Sequence, residues 1–538
     1  MPALPRRKFL TAAAAVGAAP LLANCSSAHS KQNSAAQNAR TKLPAYIPYT
    51  AVHPDLPSNA DGAMPGYFAY PRHPKRAMSA PPAAGLDSVS LLSVTFTSPP
   101  PAMAQNQFWQ QINKSLGATF ALSLTPADSY ATKFATVVAS GNVPDVMMMP
   151  LGTLHEPQIL SNLFADLSDY LTGDAIKDYP FLANMPTRSW MYTIANAGIY
   201  GIPQPRAVSG ACTFYRADLV RTAGANPEPK TYDEFFEMLR AVTDAKHNKW
   251  AFANANNMFS MVREMRGAPN NWALHDGKFV SYLIDDRTRQ ALSDVRTMVK
   301  SGVFHPDSFA TSYTGFRELF MQGRTALIND GYAAWDLFAG QLGSDDKLSA
   351  MVEPKAGGGG DAPKYAGISV QATTSIKRGL GASKTKKILG VLNWLAAPIG
   401  TQEYLFRKFG IEGRDFTWKD GVPTPTSTGM SETQMALQYV TDAPTILGPG
   451  PKSRVTAQHD WHVRVTKNVV YDPSAGLFSD TQQTAGPKIA KLISDTQNDV
   501  MQGRKPLSAW DDAVKTWRSE GGDAIAREYA TAYAKRHP

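Results

Sequence analysis

One stretch near the middle of the chain, Gly198 to Val242, constrains the possible fold more than any other. It predicts a strand that turns at a Gly-Pro pair, a polar crossing over residues 204–209, a second apolar strand, and then two helices. Gly224 ends the first helix, because glycine readily takes the left-handed conformation of a helix end. Thr231 begins the second helix, since its hydroxyl can accept the N–H of Glu234 while the Glu234 carboxylate reaches back. The order of elements indicates an α/β protein.

The segment before this stretch repeats the alternation of strands and helices. The predicted elements are a strand over 88–96, a helix over 105–116, a strand over 118–124, a helix that begins at 125–126 and a buried strand over 143–149. This β-α-β pattern favours a mostly parallel sheet with helices on both faces. Ligands of such sheets bind at the carboxyl ends of strands. Met149 and the loop after Phe96 are therefore predicted to face a cleft.

Several segments, taken in order, resemble one protein family. They are Gly198 to Val242, Gly267 to Trp272 with Asp276 to Phe279, Ser301 to Asp307, Phe320 to Trp335, and Phe409 to Gly413. This order of motifs resembles the extracellular solute-binding proteins of ABC importers, in particular the LipO-like oligosaccharide-binding lipoproteins. The resemblance covers almost the whole chain except a proline-rich segment. The alternative is a generic strand-turn-helix unit of another α/β protein.

The resemblance implies a two-lobed, periplasmic-binding-protein-like fold of type II. Each lobe would be a mostly parallel sheet flanked by helices, and crossing strands near Pro205 to Ser209 would form the hinge. The predicted division is a signal peptide over 1–24, a tether and proline-rich arm over 25–86, a first lobe over 87–205 and 365–440, and a second lobe over 206–364 and 441–538 with C-terminal helices.

The first 25 residues have the pattern of an export leader. Arg6, Arg7 and Lys8 precede an apolar run that is shorter than the roughly 20 residues of a membrane span. The basic part resembles a twin-arginine signal. Residues 22–25 resemble a bacterial lipobox, which implies cleavage before Cys25 and a lipid on its sulfur, although Asn24 departs from the usual small residue. Plain secretion is the alternative.

Composition excludes several classes of function. The leader carries three basic and no acidic residues, so its removal lowers the formal charge from +9 to +6 over 514 residues. This mild excess, without a run of like charges, argues against nucleic acid as a partner. The chain has two cysteines, so a lipid on Cys25 would leave Cys212 without a disulfide partner. Cys212 lies in an apolar strand and is predicted to be a small buried side chain.

Residues 43–86 form a proline-rich segment of different character. Nine prolines alternate with aromatic residues such as Tyr49, Tyr67 and Tyr70. A solvated linker has little use for aromatic side chains. We therefore predict an extended arm with little helix, laid across one lobe.

Aromatic side chains are the most promising ligand-binding residues. Sugar sites combine flat aromatic platforms with hydrogen-bonding groups in a concave surface. The tryptophans considered are Trp109, Trp190, Trp272, Trp335 and Trp418, each of which can equally be a core residue. The polar groups considered are Arg206, Ser209, Asn329 and Asp330. Motif matches favour Trp335 and Trp272, followed by Arg206 and Ser209 at the lobe crossing.

Catalytic and metal-binding patterns are weak. His459 and His462 have helical spacing but no adjacent Glu or Cys ligand, so no metal site and no cofactor is predicted, and a bracing calcium ion is left open. The adjacent aspartate pairs diverge on a helix or strand, and neither a Gly-x-Ser-x-Gly elbow nor a Walker motif occurs. The glycines at 357–360 form a flexible turn rather than a phosphate cradle.

The sequence therefore predicts a monomeric binding lipoprotein on the outer face of the membrane. It would close its lobes on an oligosaccharide and deliver it to an ABC permease. A peptide or an anionic sugar such as a uronate is also compatible with Arg206. A secreted carbohydrate-active enzyme and a surface sensor without a transporter are the alternative functions.

Overall fold

The computed structural model describes residues 33–367 and 369–536. The predicted leader, Cys25 and the first part of the tether lie outside these residues. Across the two described ranges, every helix is either too short or too polar to cross a lipid bilayer.

The strands are short and are distributed between two principal sheets and several two-stranded pairs. In chain order they are β1 (Ser88–Thr95), β2 (Thr119–Pro126), β3 (Val146–Pro150), β4 (Ile194–Ala195), β5 (Gly198–Ile199), β6 (Ile202–Pro205), β7 (Ala211–Arg216), β8 (Trp272–His275), β9 (Lys278–Ser281), β10 (Leu327–Gly331), β11 (Leu348–Met351), β12 (Lys364–Tyr365), β13 (Val370–Ile376), β14 (Phe416–Lys419), β15 (Val422–Pro425) and β16 (Val469–Val470).

Helices flank both principal sheets and fill the C-terminal part of the chain. In chain order they are α1 (Ala35–Asn38), α2 (Gln107–Leu116), α3 (Ala127–Ser140), α4 (Glu156–Leu163), α5 (Ser168–Leu171), α6 (Thr187–Trp190), α7 (Ala217–Thr222), α8 (Tyr232–Ala241), α9 (Ala255–Arg266), α10 (Asp286–Lys300), α11 (Tyr313–Met321), α12 (Ala334–Leu342), α13 (Ala382–Leu395), α14 (Gln402–Phe409), α15 (Ser427–Glu432), α16 (Lys452–Thr466), α17 (Asp480–Thr484), α18 (Gly486–Met501), α19 (Ser508–Trp517) and α20 (Asp523–Arg536).

Lobe 1 is the half built on a five-stranded sheet with the order β2-β1-β3-β13-β6. Strand β1 pairs in parallel with β2 and β3, whereas β13 pairs antiparallel with β3 and β6. The strand-helix-strand start of this lobe agrees with the sequence expectation. Two of its four strand pairs are therefore parallel and two are antiparallel, so the sheet is mixed rather than mostly parallel.

Lobe 2 is the half built on a three-stranded sheet with the order β10-β7-β11. Both pairs are antiparallel, so the expectation of a mostly parallel sheet in each lobe is wrong for lobe 2. Strand β7 is central, and β10 and β11 return to its two edges in the opposite direction. Apolar runs of five or six residues predict strands but carry no information on direction.

Each lobe has its own apolar core. In lobe 1 the fully buried side chains include Phe108, Phe120 and Trp190. In lobe 2 helices α9, α10, α18 and α19 pack together, and Phe235 shares their core with Trp510. The C-terminal helices are therefore part of the lobe 2 core.

The chain crosses between the two sheets in two neighbouring segments. One joins β6 to β7, and the other joins β12 to β13. They are hydrogen-bonded from Arg206 N to Ser369 O at 2.9 Å and from Gly367 N to Val208 O at 2.9 Å. A Cβ on Gly367 would lie 2.4 Å from the Cα of Gly210, so this crossing requires glycine at both positions.

The proline-rich segment is extended and has little helix, but it contacts both lobes. Tyr70 packs against Tyr404 of α14 on lobe 1, with ring centroids 6.2 Å apart. Met64 is buried in the lobe 2 core together with Phe214. The expectation of an arm across one lobe is therefore wrong, because buried side chains at different points of the arm enter different cores.

Local signals in the sequence correspond closely to the helix ends. The N–H of Glu234 donates to the Thr231 hydroxyl at 3.2 Å, as the capping pattern predicts. The Glu234 carboxylate, however, accepts from the N–H of Lys230 at 2.8 Å, one residue before the expected partner. Helix α7 ends just before Gly224, which has the left-handed φ of 63°.

Candidate functional site

Three aromatic rings from three separate segments meet where the lobes face each other. Phe96 follows the end of β1, Tyr313 begins α11 of lobe 2, and Tyr439 lies in the segment that leaves lobe 1. The centroid of the Phe96 ring is 4.9 Å from that of Tyr439 and 5.7 Å from that of Tyr313. All three side chains are half-buried. They form a partly open aromatic surface shared by both lobes, which we call the boundary cluster.

Asp330 fixes the lobe 2 side of the boundary cluster. Its carboxylate accepts the hydroxyl of Tyr313 at 2.7 Å and the Nε–H of Arg317 at 2.6 Å. Burial and the nearby Asp330 charge raise the pKa of Tyr313, so its hydroxyl is protonated at neutral pH and donates. Asp330 was predicted as a rim group. It is almost fully buried and acts through Tyr313 and Arg317, which it positions.

Amide side chains continue this surface along lobe 2. The amide of Asn329 donates to the hydroxyl of Thr213 at 3.0 Å, and the amide of Asn257 donates to the Asn329 carbonyl at 3.1 Å. Asn257 lies in the first turn of α9, whose N-cap is Asn254. Amides offer both donors and acceptors, which suits recognition of hydroxyl groups.

Arg206 joins the boundary cluster from the hinge. Its guanidinium lies over the Tyr439 ring with the carbon 5.3 Å from the centroid, and Nη1 donates to its own neighbour, the Pro205 carbonyl, at 2.8 Å. Burial lowers the pKa of this guanidinium, while Tyr439 and Asp442 act in the opposite direction. Among the described residues no carboxylate lies within ion-pair distance of Arg206.

Three of the predicted site residues are core residues instead. Met149 is fully buried, because β3 continues to Pro150 and the side chain packs within lobe 1. Ser209 is also fully buried, and its hydroxyl lies 3.0 Å from Nε2 of His462. The indole N–H of Trp109 donates to the Phe120 carbonyl at 2.9 Å inside lobe 1. In this arrangement protein groups enclose all three side chains, and their contact with a ligand stays a prediction.

Trp335 also lies within a core. It is 5% exposed, and its ring packs edge-on against Phe214 at 5.5 Å and close to Tyr332 and Trp461. Helix α12 begins at Ala334, so Trp335 belongs to the first turn of a packed helix rather than to an open loop. Trp335 therefore offers no open ring face in this arrangement, and its role as a stacking platform stays a prediction. Trp190 is a core residue of lobe 1.

The two remaining tryptophans are more accessible but lie elsewhere. Trp272 is half-buried at the start of β8, where it contacts Phe279, Trp517 and Tyr529 and lines a cavity of about 330 Å³. Trp418 is 41% exposed on the β14–β15 hairpin of lobe 1. Of the predicted residues, Arg206, Asn329 and Asp330 are those that the fold brings together at the lobe boundary.

Sequence reasoning missed four members of this site, Phe96, Tyr313, Arg317 and Tyr439. The sequence did predict that the loop after Phe96 faces a cleft, but it did not indicate that the Phe96 ring itself belongs to the site. Tyr313 and Arg317 are one helical turn apart, at i and i+4, which places them on the same face of α11. Tyr439 lies in a turn without a recognisable motif, so no local signal marks it.

A buried charge cluster lies behind the hinge. The Lys364 ammonium is 2.9 Å from a Glu264 oxygen and 3.7 Å from a Glu353 oxygen. Burial raises the pKa of Glu264, while Lys364 lowers it. The Thr213 hydroxyl and the Tyr365 N–H donate to the two carboxylates. This cluster ties β12, at the end of a crossing segment, to α9 and β7 of lobe 2.

The close histidine pair and Cys212 contact other protein groups in the described chain. His459 contacts the Pro57 carbonyl whereas His462 contacts Ser209, so the two imidazoles do not share a centre. In the part of the chain that the structure describes, no three His, Cys, Asp or Glu side chains are grouped to hold a metal ion. Cys212 is fully buried, as predicted from its apolar strand, and burial raises the pKa of its thiol.

Two sheets joined by crossing strands, with polar and aromatic groups at their boundary, define the architecture of a two-lobed binding protein. The profile of the bacterial extracellular solute-binding proteins matches residues 104–398. The chain belongs to this family.

Individual relatives agree with this assignment. The chain is 22% identical to lipoprotein LipO of Bacillus subtilis (strain 168) over 78% of this chain and 88% of LipO. It is 24% identical to the polygalacturonan/rhamnogalacturonan-binding protein YtcQ of the same organism over 84% of this chain and 92% of YtcQ. The N-glycan transport solute-binding protein NgtS of Streptococcus pneumoniae superposes with a TM-score of 0.62 at 15% identity, over 84% of this chain and 99% of NgtS.

These comparisons confirm the family and the type II two-lobed α/β fold predicted from the sequence. Membership of an extracellular family and similarity to a lipoprotein indicate an extracytoplasmic location. The family and the matching solved structures are binding proteins.

Proposed function

We propose that this protein is the oligosaccharide-binding component of an ABC importer and that the boundary cluster is its ligand site. The observation that carries the proposal is the meeting of Phe96, Tyr313 and Tyr439 from both lobes beside Arg206. Aromatic faces suit the C–H surfaces of sugar rings, and nearby amides suit their hydroxyls. The name of YtcQ refers to pectic polysaccharides, and NgtS has been solved with Man5GlcNAc.

The mechanism we propose is hinge closure. In the present arrangement the lobes touch at several points besides the aromatic rings. The Thr314 hydroxyl is 3.2 Å from an Asp128 oxygen, and the His155 N–H is 3.3 Å from the Gln483 side-chain carbonyl oxygen. A ligand that contacts both lobes binds the closed form more tightly and so increases its population. The permease would then recognise the closed surface.

Delivery to a permease requires a position at the membrane. A lipid on Cys25 after cleavage of residues 1–24, with export by the twin-arginine route, would supply it. We further propose that the lobes divide near residues 205, 365 and 440, the first two of which lie at the crossing segments. Radiolabelled palmitate incorporation into the wild-type chain and its absence in Cys25→Ser would support the anchor. Equal labelling of both would contradict it.

The binding proposal is tested by calorimetry with oligogalacturonides and Man5GlcNAc as probes. Phe96→Ala should weaken binding about tenfold, because stacking and burial at one ring contribute about 1.4 kcal/mol. Trp418→Ala is the matched control, since it removes a more exposed aromatic ring outside the boundary cluster. Wild-type affinity in Phe96→Ala, or no binding of either glycan, would contradict the proposal.

The same glycans test the alternative functions. A carbohydrate-active enzyme would need two facing carboxylates in a groove, whereas the boundary cluster has Asp330 already engaged by Tyr313 and Arg317. Incubation of a fluorescently labelled glycan with the purified protein should leave its length unchanged, and shortening would favour the enzyme. Permease genes beside the gene for this chain would favour the importer over a surface sensor.

A further inference from the structure

A second depression on lobe 2 lies outside the boundary cluster. It consists of two adjoining cavities of about 800 Å³ and about 330 Å³, which share Gly267 and Arg287 in their walls. The larger cavity has the size of small-molecule sites, which are roughly 300–1,000 Å³. We call the two together the lobe 2 groove. Its smaller end includes Trp272 and Tyr471.

The smaller end of the groove reaches the other lobe. Tyr471 is 42% exposed, and the guanidinium carbon of Arg188, on α6 of lobe 1, lies 4.0 Å from the centre of its ring. Asn270, next to this end, donates to the Ala366 carbonyl of the crossing segment at 3.1 Å. The smaller end of the groove therefore lies at a contact between the two lobes.

The charges in the groove are balanced, and most of them are ion-paired. Arg287 forms a two-bond fork with Asp285 at 2.9 and 2.6 Å, Arg266 pairs with Asp294 at 2.7 Å, and Asp361 forms a fork with Arg464 at 2.6 Å. When the ion-pair partners are included, the groove has four positive and four negative side chains. The positive ones are Arg266, Arg287, Lys355 and Arg464, and the negative ones are Asp285, Asp286, Asp294 and Asp361. Such a wall offers donors and acceptors without net charge, which suits hydroxyl groups rather than phosphate.

The far end of the groove is kept open by glycine. Gly357 and Gly358 line the larger cavity. A Cβ built on Gly357 would meet no atom within 4 Å, so a side chain there would project into open space. The rest of the turn has positive φ at Gly358, Gly359 and Gly360. Residues with a side chain rarely adopt this conformation, so the turn favours glycine at these positions.

We propose that the lobe 2 groove binds the part of a glycan chain that extends beyond the boundary cluster. This inference rests on the proposed function. The hydroxyl groups of the sugar units would contact the ion-paired side chains, and Tyr471 would contact the unit that leaves the lobe boundary. The protein thereby selects long chains over short ones.

Calorimetry with size ladders tests the inference. The probes are homogalacturonan and linear mannan fragments from the disaccharide to the octasaccharide, titrated into the secreted chain. For a ladder that binds, wild-type affinity should rise with length. Gly357→Trp should lower the affinity for the octasaccharide about tenfold and leave that for the disaccharide unchanged.

Gly340→Trp is the matched control, because Gly340 is exposed on α12, has no atom within 4 Å of a built Cβ, and lines neither cavity. Arg287→Ala, at an exposed wall residue, gives a second test if circular dichroism shows that Gly357→Trp has lost structure. Affinity that is independent of length, or wild-type behaviour of Gly357→Trp and Arg287→Ala, overturns the groove alone. Failure of the wild-type chain to bind any fragment overturns both proposals.

Discussion

Replacement of Lys364 by methionine tests the importance of the charge cluster behind the hinge. The lysine ammonium, Glu264 and Glu353 are each at most 5% exposed. Methionine is similar in length, so the substitution removes the positive charge and leaves two buried carboxylates without it. Breaking a buried ion pair in this way costs about 3–5 kcal/mol. We therefore expect Lys364→Met to unfold at clearly lower urea concentration than the wild type at pH 7.

The pH dependence of this variant has a definite sign. Without Lys364, burial and the nearby Glu353 charge raise the pKa of Glu264 above its value in the unfolded chain. The folded state then binds more protons than the unfolded state, so stability rises as the pH falls from 7 towards 5. The slope from this carboxylate is at most about 1.4 kcal/mol per pH unit.

Urea denaturation followed by tryptophan fluorescence at pH 7, 6 and 5 measures both effects. Lys355→Met is the matched control, because Lys355 is exposed and forms no ion pair within the described chain. The control should unfold as the wild type does at every pH. A wild-type midpoint for Lys364→Met at pH 7, or a defect that does not shrink at pH 5, would refute the reasoning.

Three further predictions concern other parts of the molecule. Arg206→Met should weaken binding of oligogalacturonides about tenfold or more, because a hydrogen bond to a charged group contributes about 1.5–3 kcal/mol. Calorimetry should also show that the affinity of the variant depends less on salt concentration than that of the wild type. An unchanged salt dependence of the affinity would exclude a contact between Arg206 and a ligand carboxylate. His462 is fully buried, and burial lowers its pKa to about 4. The stability of the wild type should therefore fall as the pH decreases from 6.5 to 4, by at most about 1.4 kcal/mol per pH unit. His462→Gln should lack this contribution to the pH dependence in urea titrations. Trp335→Ala should destabilise the protein by about 3–5 kcal/mol while Trp335→Phe retains most of its stability in thermal scans, and a loss of affinity without loss of stability would return Trp335 to the ligand site.

The sequence predicted the elements of lobe 1 well because their signals are local. The β1, α2 and β2 segments follow apolar periodicity, and Asn106 caps α2 by accepting the Trp109 N–H at 2.8 Å. Motifs placed in order were sufficient to indicate the family. Strand direction in lobe 2 was not predictable, because β10 and β11 reach β7 from more than a hundred residues away.

Site residues were harder to predict for a related reason. Trp109 and Trp335 are large and apolar, and the sequence alone does not show that a backbone carbonyl or neighbouring rings will enclose them. The rings of Phe96 and Tyr439 are in contact although more than three hundred residues separate them in the sequence. No local sequence pattern therefore predicts this contact. Arg206 was chosen from the sequence because it lies at the lobe crossing, and Asp330 because it is a polar group that could serve as a rim residue.

The arm over residues 43–86 also limits how far the lobes can separate. Met64 is buried in a lobe 2 cluster and Tyr70 in a lobe 1 cluster, and only six peptide units of chain join them. A fully stretched chain of that length spans at most about 20–22 Å. While both side chains stay buried, these two points of the lobes can therefore separate by no more than this distance, even if the hinge alone would permit a wider opening.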